Sequence, residues 1–365
     1  MKRATIRLLL LLATLSALAA CGDSAADTES PDDRTGEEAQ DDDDSGDDGG
    51  ADTSADTDDP LVVYSGRNQE LVGPIIEQFS DDTGIETEVR YGDTAEMAAQ
   101  ILEEGDNSPA DVFYGQDAGA LGALAAQDRL SPLADEQIEQ VEPGLRDDES
   151  RWIGLSGRAR VVAYNTEAVS EEALPDSILD FTDPEWDGRI GWAPSNGSFQ
   201  AFVTAMRVLE GDDVTGEWLE GIRDNGAVAY ENNGGILDAV TAGEVEAGFV
   251  NHYYLYPRLV EDPDAPLDQK FYGDGDLGGL INVAGAGVLD TAANPEAASE
   301  FIDFMIDEPA QRYFADETYE IPLVGDVPPA DGVPTLDELT VPDIDLNRLD
   351  DLEGTLELLT EAGLL

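Results

Sequence analysis

Cysteine and histidine each occur once in this 365-residue chain, and lysine only twice, as Lys2 and Lys270. A lone cysteine excludes an internal disulfide and any cysteine metal cluster. Any serine-hydrolase triad would have to use His252, and no Gly-x-Ser-x-Gly elbow accompanies it. Walker-type phosphate loops and the metalloprotease helix motif are missing as well. Cations are scarce: 18 Lys and Arg face 82 Asp and Glu, a formal net charge of −64. That balance excludes nucleic-acid binding, which needs clustered cations to displace phosphate counterions. It also excludes electrostatic attachment to anionic lipid. The acidity runs from Asp81 to Leu365 and is not confined to a tail. Self-repulsion on this scale opposes a compact state unless salt screens it, so a salt-adapted, halophilic protein is expected.

Long apolar runs are also few. The one at the amino terminus, Leu8 to Ala20, follows Lys2, Arg3 and Arg7 and falls short of the roughly 20 residues a membrane span needs. Basic residues followed by a short apolar stretch read as a signal peptide over 1–20. Leu18-Ala19-Ala20-Cys21-Gly22 resembles the recognition sequence of bacterial lipoprotein signal peptidase, which implies a lipid on the Cys21 thiol. Residues 21–60 are acidic and small, with no aromatic residue and Asp41-Asp42-Asp43-Asp44 in their midst. They have nothing to bury and are expected to form a disordered tether. The localisation expected is extracytoplasmic: the outer face of the cytoplasmic membrane, or the periplasm.

Beyond Pro60, short β-branched runs alternate with helical spacing. Leu61–Tyr64, Ile85–Val89 and Asp111–Tyr114 predict strands, and the segments 71–79, 94–104 and 118–126 predict helices. After Trp152, strands are expected at 160–164, 189–192, 228–230, 247–250 and 281–289, with helices at 199–210 and 236–242. The fold expected is α/β, in two lobes, with chain crossovers near 158–164 and 281–290. One lobe would take 61–158 plus 285–365 and the other 159–284. A ligand would lie in the cleft at the carboxyl ends of the strands.

Four segments then occur in order: Val63-Tyr64-Ser65-Gly66-Arg67, Ser108 to Tyr114, Leu155 to Val162, and Asn251-His252-Tyr253-Tyr254. Together, across about 61–323, they resemble the ferric-iron-binding proteins of bacterial ABC importers, extracytoplasmic solute-binding proteins of the type II two-lobed periplasmic-binding fold. The resemblance implies a binding protein and not an enzyme. It implies Fe3+ as cargo, a permease with its ATPase as partners, and a synergistic anion, carbonate or phosphate. A monomer is expected.

The chemistry agrees with this. Trivalent iron is hard and favours anionic oxygen donors, and its charge can hold a phenolate that water would protonate below about pH 10. Tyr253 and Tyr254 supply two such oxygens; at a strand-to-helix corner they would diverge by only about 100°. The same pair could instead be core or hinge tyrosines at a helix start. Tyr64 is a further phenolate candidate, against simple packing at a strand end. His252 adjoins the pair, but alternation would turn it away.

Two of the family's donors are replaced. Asn68 stands where the best-known members have a histidine, and Gln116 where they have a glutamate. The resemblance implies a branch that binds through tyrosines and an exogenous anion. It places that anion on Ser195-Asn196-Gly197-Ser198, Arg158, Asn233 and Asn251, with Asp117 in the place of a glutamine. Ser195–Ser198 could otherwise be a helix cap, and Arg158 an ion-pair partner between lobes. The same fold carrying an oxyanion, a polyamine or a small organic solute is the alternative.

Overall fold

The computed structural model describes residues 59–365. The signal peptide, Cys21 and nearly all of the acidic tether lie outside the described residues. The elements are β1 (Leu61–Ser65), α1 (Gln69–Thr83), β2 (Thr87–Tyr91), α2 (Thr94–Glu104), β3 (Val112–Gly115), α3 (Ala118–Ala126), β4 (Leu130–Ser131) and α4 (Asp135–Ile138). Then come β5 (Ile153–Asn165), β6 (Ile190–Trp192), α5 (Gly197–Glu210), α6 (Asp212–Asp224), β7 (Val228–Ala229), α7 (Asn233–Ala242), β8 (Ala247–Asn251) and α8 (Leu255–Glu261). The chain ends with β9 (Leu267–Lys270), β10 (Ile281–Leu289), α9 (Pro295–Ile306), α10 (Glu308–Asp316), β11 (Ile321–Pro322) and α11 (Leu352–Glu361).

Hydrogen bonding runs through the strands in the order β2-β1-β3-β10-β5-β8-β6-β7. Within it, β2, β1 and β3 are parallel, as are β8, β6 and β7, whereas β10 and β5 are antiparallel to their neighbours. The 13 residues of β5 are all buried and serve both lobes. Ala159 still pairs with Ile281 of β10, and the next residue, Arg160, pairs with Asn251 of β8. The first crossover is therefore the Ala159–Arg160 peptide itself. Gly285 lies at a register shift of β10, and a Cβ there would meet the Ile153 carbonyl oxygen at 2.6 Å, so only glycine lets the two backbones approach this closely.

Two features of the structure bear on the expected layout. The return crossover precedes 281, because β9 still pairs with the far half of β5 and β10 pairs with the near half from its first residue. The carboxyl-terminal segment does not stay with the first lobe: α11 packs on α5 and α6, with Thr204 and Thr355 sharing a hydroxyl hydrogen bond at 2.7 Å. Apolar spacing marks which face of a helix is buried but not which element it is buried against. For the same reason α5 and α7 begin two and three residues ahead of their expected starts. Polar residues, Asn196 and Asn232, cap them before the apolar period begins, each side chain accepting a backbone N–H of the first turn. The second strand also runs two residues later than expected, at 87–91.

Candidate metal-binding site

Strand β8 is buried along its whole length and ends at Asn251, after which His252–Tyr254 form one 3-10 turn leading into α8. A strand would point Tyr253 and Tyr254 to opposite faces; at about three residues per turn their side chains swing apart far less. Their rings stack, with centroids 4.4 Å apart and planes inclined by 28°. Tyr253 is buried and Tyr254 half-buried. The Tyr254 hydroxyl is held protonated, first by the neighbouring Tyr253 phenol and then by burial, while the Arg67 and Arg158 charges pull the other way. Two phenol oxygens side by side resist joint ionisation unless a cation lies against them. Among the described residues, no group of three or more His, Cys, Asp or Glu side chains is placed to hold a metal ion.

His252 lies behind the pair. It is fully buried, its Nδ1 accepts the Ala159 N–H at 3.1 Å, and its Nε2 donates to the Tyr319 carbonyl at 2.8 Å. Burial pushes its pKa down to about 4, so the ring is neutral near pH 7 and both nitrogens are occupied.

The residues expected to hold an anion come together in part. Asn233 donates through Nδ2 to Asn196 Oδ1 and Ser198 Oγ, both at 3.4 Å, and accepts the Asn251 N–H at 3.2 Å. Ser195, Asn196 and Gly197 line a cavity of about 440 Å3 together with Gln116 and Asp117. Neither tyrosine of the pair lines that cavity; the hydrogen bonds of Asn233 run from Asn196 at the cavity to Asn251, two residues before Tyr253. Arg158 is buried and donates through Nη2 to the Gln116 carbonyl, whereas its Nε and Nη1 have no partner among the described residues.

Tyr64 is not brought to the pair. Its hydroxyl donates to Glu104 at 3.2 Å and accepts from Arg90 and Gln100, a network anchored on the end of α2. Asn68 caps α1, its Oδ1 accepting the Glu70 N–H at 3.0 Å. Asp117 caps α3 by accepting the Ala120 N–H, and burial raises its carboxyl pKa against that bond.

Two residues at the site were missed. Arg160, two positions beyond Arg158 along β5, is buried above the faces of Phe199 and Phe202 at 5.5 and 5.2 Å. It donates to Asn251 Oδ1 at 3.2 Å, and burial, with Arg158 beside it, lowers its pKa to about 9. The strand period of two was the available signal, since it puts Arg158 and Arg160 on one face. Glu320 is buried as the partner of Arg67, far away in sequence. Nothing local marked it.

Residues 107–351 match the family of bacterial extracellular solute-binding proteins. The chain belongs to that family. The binding protein is 33% identical over 316 residues to the Fe(3+)-binding periplasmic protein of Serratia marcescens, covering 86% of this chain and 93% of the relative. Among solved structures, iron-bound HitA from Pseudomonas aeruginosa is similar with a TM-score of 0.80 at 33% identity, over 83% of this chain and 99% of that one. A Trichodesmium protein (IdiA, FutA) in complex with iron and citrate matches with a TM-score of 0.72 at 26% identity, over 84% of this chain and the whole of the other. The two-lobed periplasmic-binding fold expected from the sequence is therefore the fold of this binding protein, and its family is one of extracellular solute-binding proteins.

Proposed function

We propose that this binding protein is the extracytoplasmic, lipid-anchored receptor of an ABC importer. It holds ferric iron between the Tyr253 and Tyr254 phenolates, together with a carbonate or phosphate ion, and passes the cargo to a permease driven by its ATPase. One observation carries the reading: two stacked phenols at a strand-to-helix corner, near the buried Arg158 and Arg160, whose guanidinium groups keep nitrogens without a partner among the described residues, in a chain whose relatives bind ferric iron. A trivalent cation offsets the charge of both phenolates. An anion at Arg158, Arg160 and the Asn196–Ser198 helix start would complete the coordination and neutralise the arginines. Closure of the lobes around the cargo would occur about the two crossovers. Cys21 would carry the lipid, and the acidic surface would suit concentrated salt.

The protein mixed with ferric iron and bicarbonate should develop a visible phenolate-to-iron charge-transfer band. Loss of the band in Tyr253→Phe, Tyr254→Phe supports the reading; its persistence there, or its absence from the wild type, overturns it. A second reading, the same fold with an oxyanion, polyamine or organic solute as cargo, is favoured by Asn68, whose side chain is spent on capping α1. Thermal stabilisation by such a solute and not by iron would establish that reading instead.

A further inference from the structure

His252 joins three parts of the molecule that are far apart in sequence. On one side it accepts the N–H of Ala159, the last residue of β5 to pair with β10 before the strand passes to β8. On the other it donates to the carbonyl of Tyr319. Because Nδ1 accepts, the ring proton lies on Nε2, so the tautomer follows from the geometry. Tyr319 has φ 57, the left-handed region that costs a non-glycine residue, and its ring stacks on Tyr256 of α8 at 5.2 Å with planes 14° apart. Tyr256 in turn donates its hydroxyl to the Gly332 carbonyl. The next residue, Glu320, is fixed by Arg67, and β11 then pairs with Gly157 of β5. The histidine ring meets Tyr253 edge to face at 5.8 Å.

We infer that His252 is a positioning residue for the tyrosine pair, tying the turn that carries Tyr253 and Tyr254 to the β5 crossover and to Tyr319, and so setting the direction in which the two phenols face the cleft. A single imidazole, buried and with both nitrogens engaged, couples the crossover to the ligand-bearing turn. A displacement of β5 on lobe closure is then transmitted to the phenols through one hydrogen bond and not through a flexible loop. A side chain with neither ring nitrogen leaves the turn attached through its backbone alone.

This inference rests on the proposed iron reading, and its test separates the two. His252→Phe keeps the ring and removes both bonds; His252→Asn keeps an acceptor for Ala159 only, and His252→Gln a donor for Tyr319 only. In the iron-free crystal structure of His252→Phe, the Tyr253–Tyr254 stack should depart from 4.4 Å, whatever the cargo. With iron and bicarbonate, its charge-transfer band should move by tens of nanometres, and iron should be lost to citrate at least about tenfold faster, with the Asn and Gln variants in between. An unmoved stack, or an unchanged band and release rate with only the melting temperature lowered, overturns the inference. If the Phe variant does not fold, the Asn and Gln variants decide by the same criteria. A wild type with no band sinks the iron reading, and the iron-free stack then decides the role of His252 by itself.

Discussion

Arg67 donates through Nη2 to Glu320 Oε1 at 2.6 Å, with both side chains out of solvent. The pair links the turn after β1 to the segment entering β11, 253 positions away. Ser156 Oγ donates to the second Glu320 oxygen at 2.7 Å. Burial penalises the guanidinium, and Glu320, Tyr114 and Tyr253 together reverse that and hold Arg67 charged.

Removing one member of this pair strands the other. Glu320→Ala should lower unfolding free energy by about 3–5 kcal/mol, because an uncompensated buried charge remains. Arg67→Met with Glu320→Leu should recover most of the loss. Urea unfolding of the two variants and the wild type measures it; a double variant no more stable than Glu320→Ala would refute the account.

Among the described residues Arg160 has no carboxylate partner; it meets Asn251 and two aromatic faces. Arg160→Met should reduce iron affinity in bicarbonate or phosphate by about 10–100-fold, the worth of a charge-assisted hydrogen bond. In buffer stripped of both anions the variant and the wild type should converge. Equal affinities in bicarbonate would remove Arg160 from the anion site.

His252 predicts how stability depends on pH. Its folded pKa of about 4 lies below the ordinary 6.5, so the unfolded chain binds the extra proton across that interval. Stability from this group is therefore complete above pH 6.5 and declines as pH falls toward 4, by on the order of 3 kcal/mol. Relative to His252→Gln, the wild type should lose stability more steeply over that window. Parallel curves would contradict the assignment.

Gly119 approaches the carboxyl-terminal segment closely: a Cβ there would lie 2.6 Å from the Leu349 carbonyl oxygen. Gly119→Ala should cost about 1–3 kcal/mol by overpacking and shift the chain entering α11. Retention of wild-type stability, with full protection of α11 amides from hydrogen exchange, would show that this contact yields freely.

A net charge of −64 should make stability strongly dependent on salt. Between 0.1 M and 1 M salt the screening length shrinks from about 10 Å to about 3 Å, and the melting temperature should rise throughout. A flat response would mean that self-repulsion is already relieved in the fold.

The order of strands and helices was legible because burial leaves a period in the chain: β5 and β10 are apolar throughout most of their length, and α2 and α3 span the residues that spacing indicated. The tyrosine pair was legible as well, since adjacency in sequence is enough to bring Tyr253 and Tyr254 together at a turn. The partners of Tyr64 were not legible. Its place at a strand end carried no information about the helix that would claim its hydroxyl, and Arg90, Gln100 and Glu104 are remote in sequence.

Composition and local pattern by themselves determined the charge, the alternation of elements, the two-lobed class and the candidate phenolates, since each depends on neighbours along the chain. Tertiary structure alone decided that Glu320 neutralises Arg67, that Arg160 faces Asn251, that α11 rests on α5, and that His252 anchors to Tyr319. Those pairings join residues tens to hundreds of positions apart. They are set by how the strands register and the helices pack, and no local preference of the chain encodes that distance.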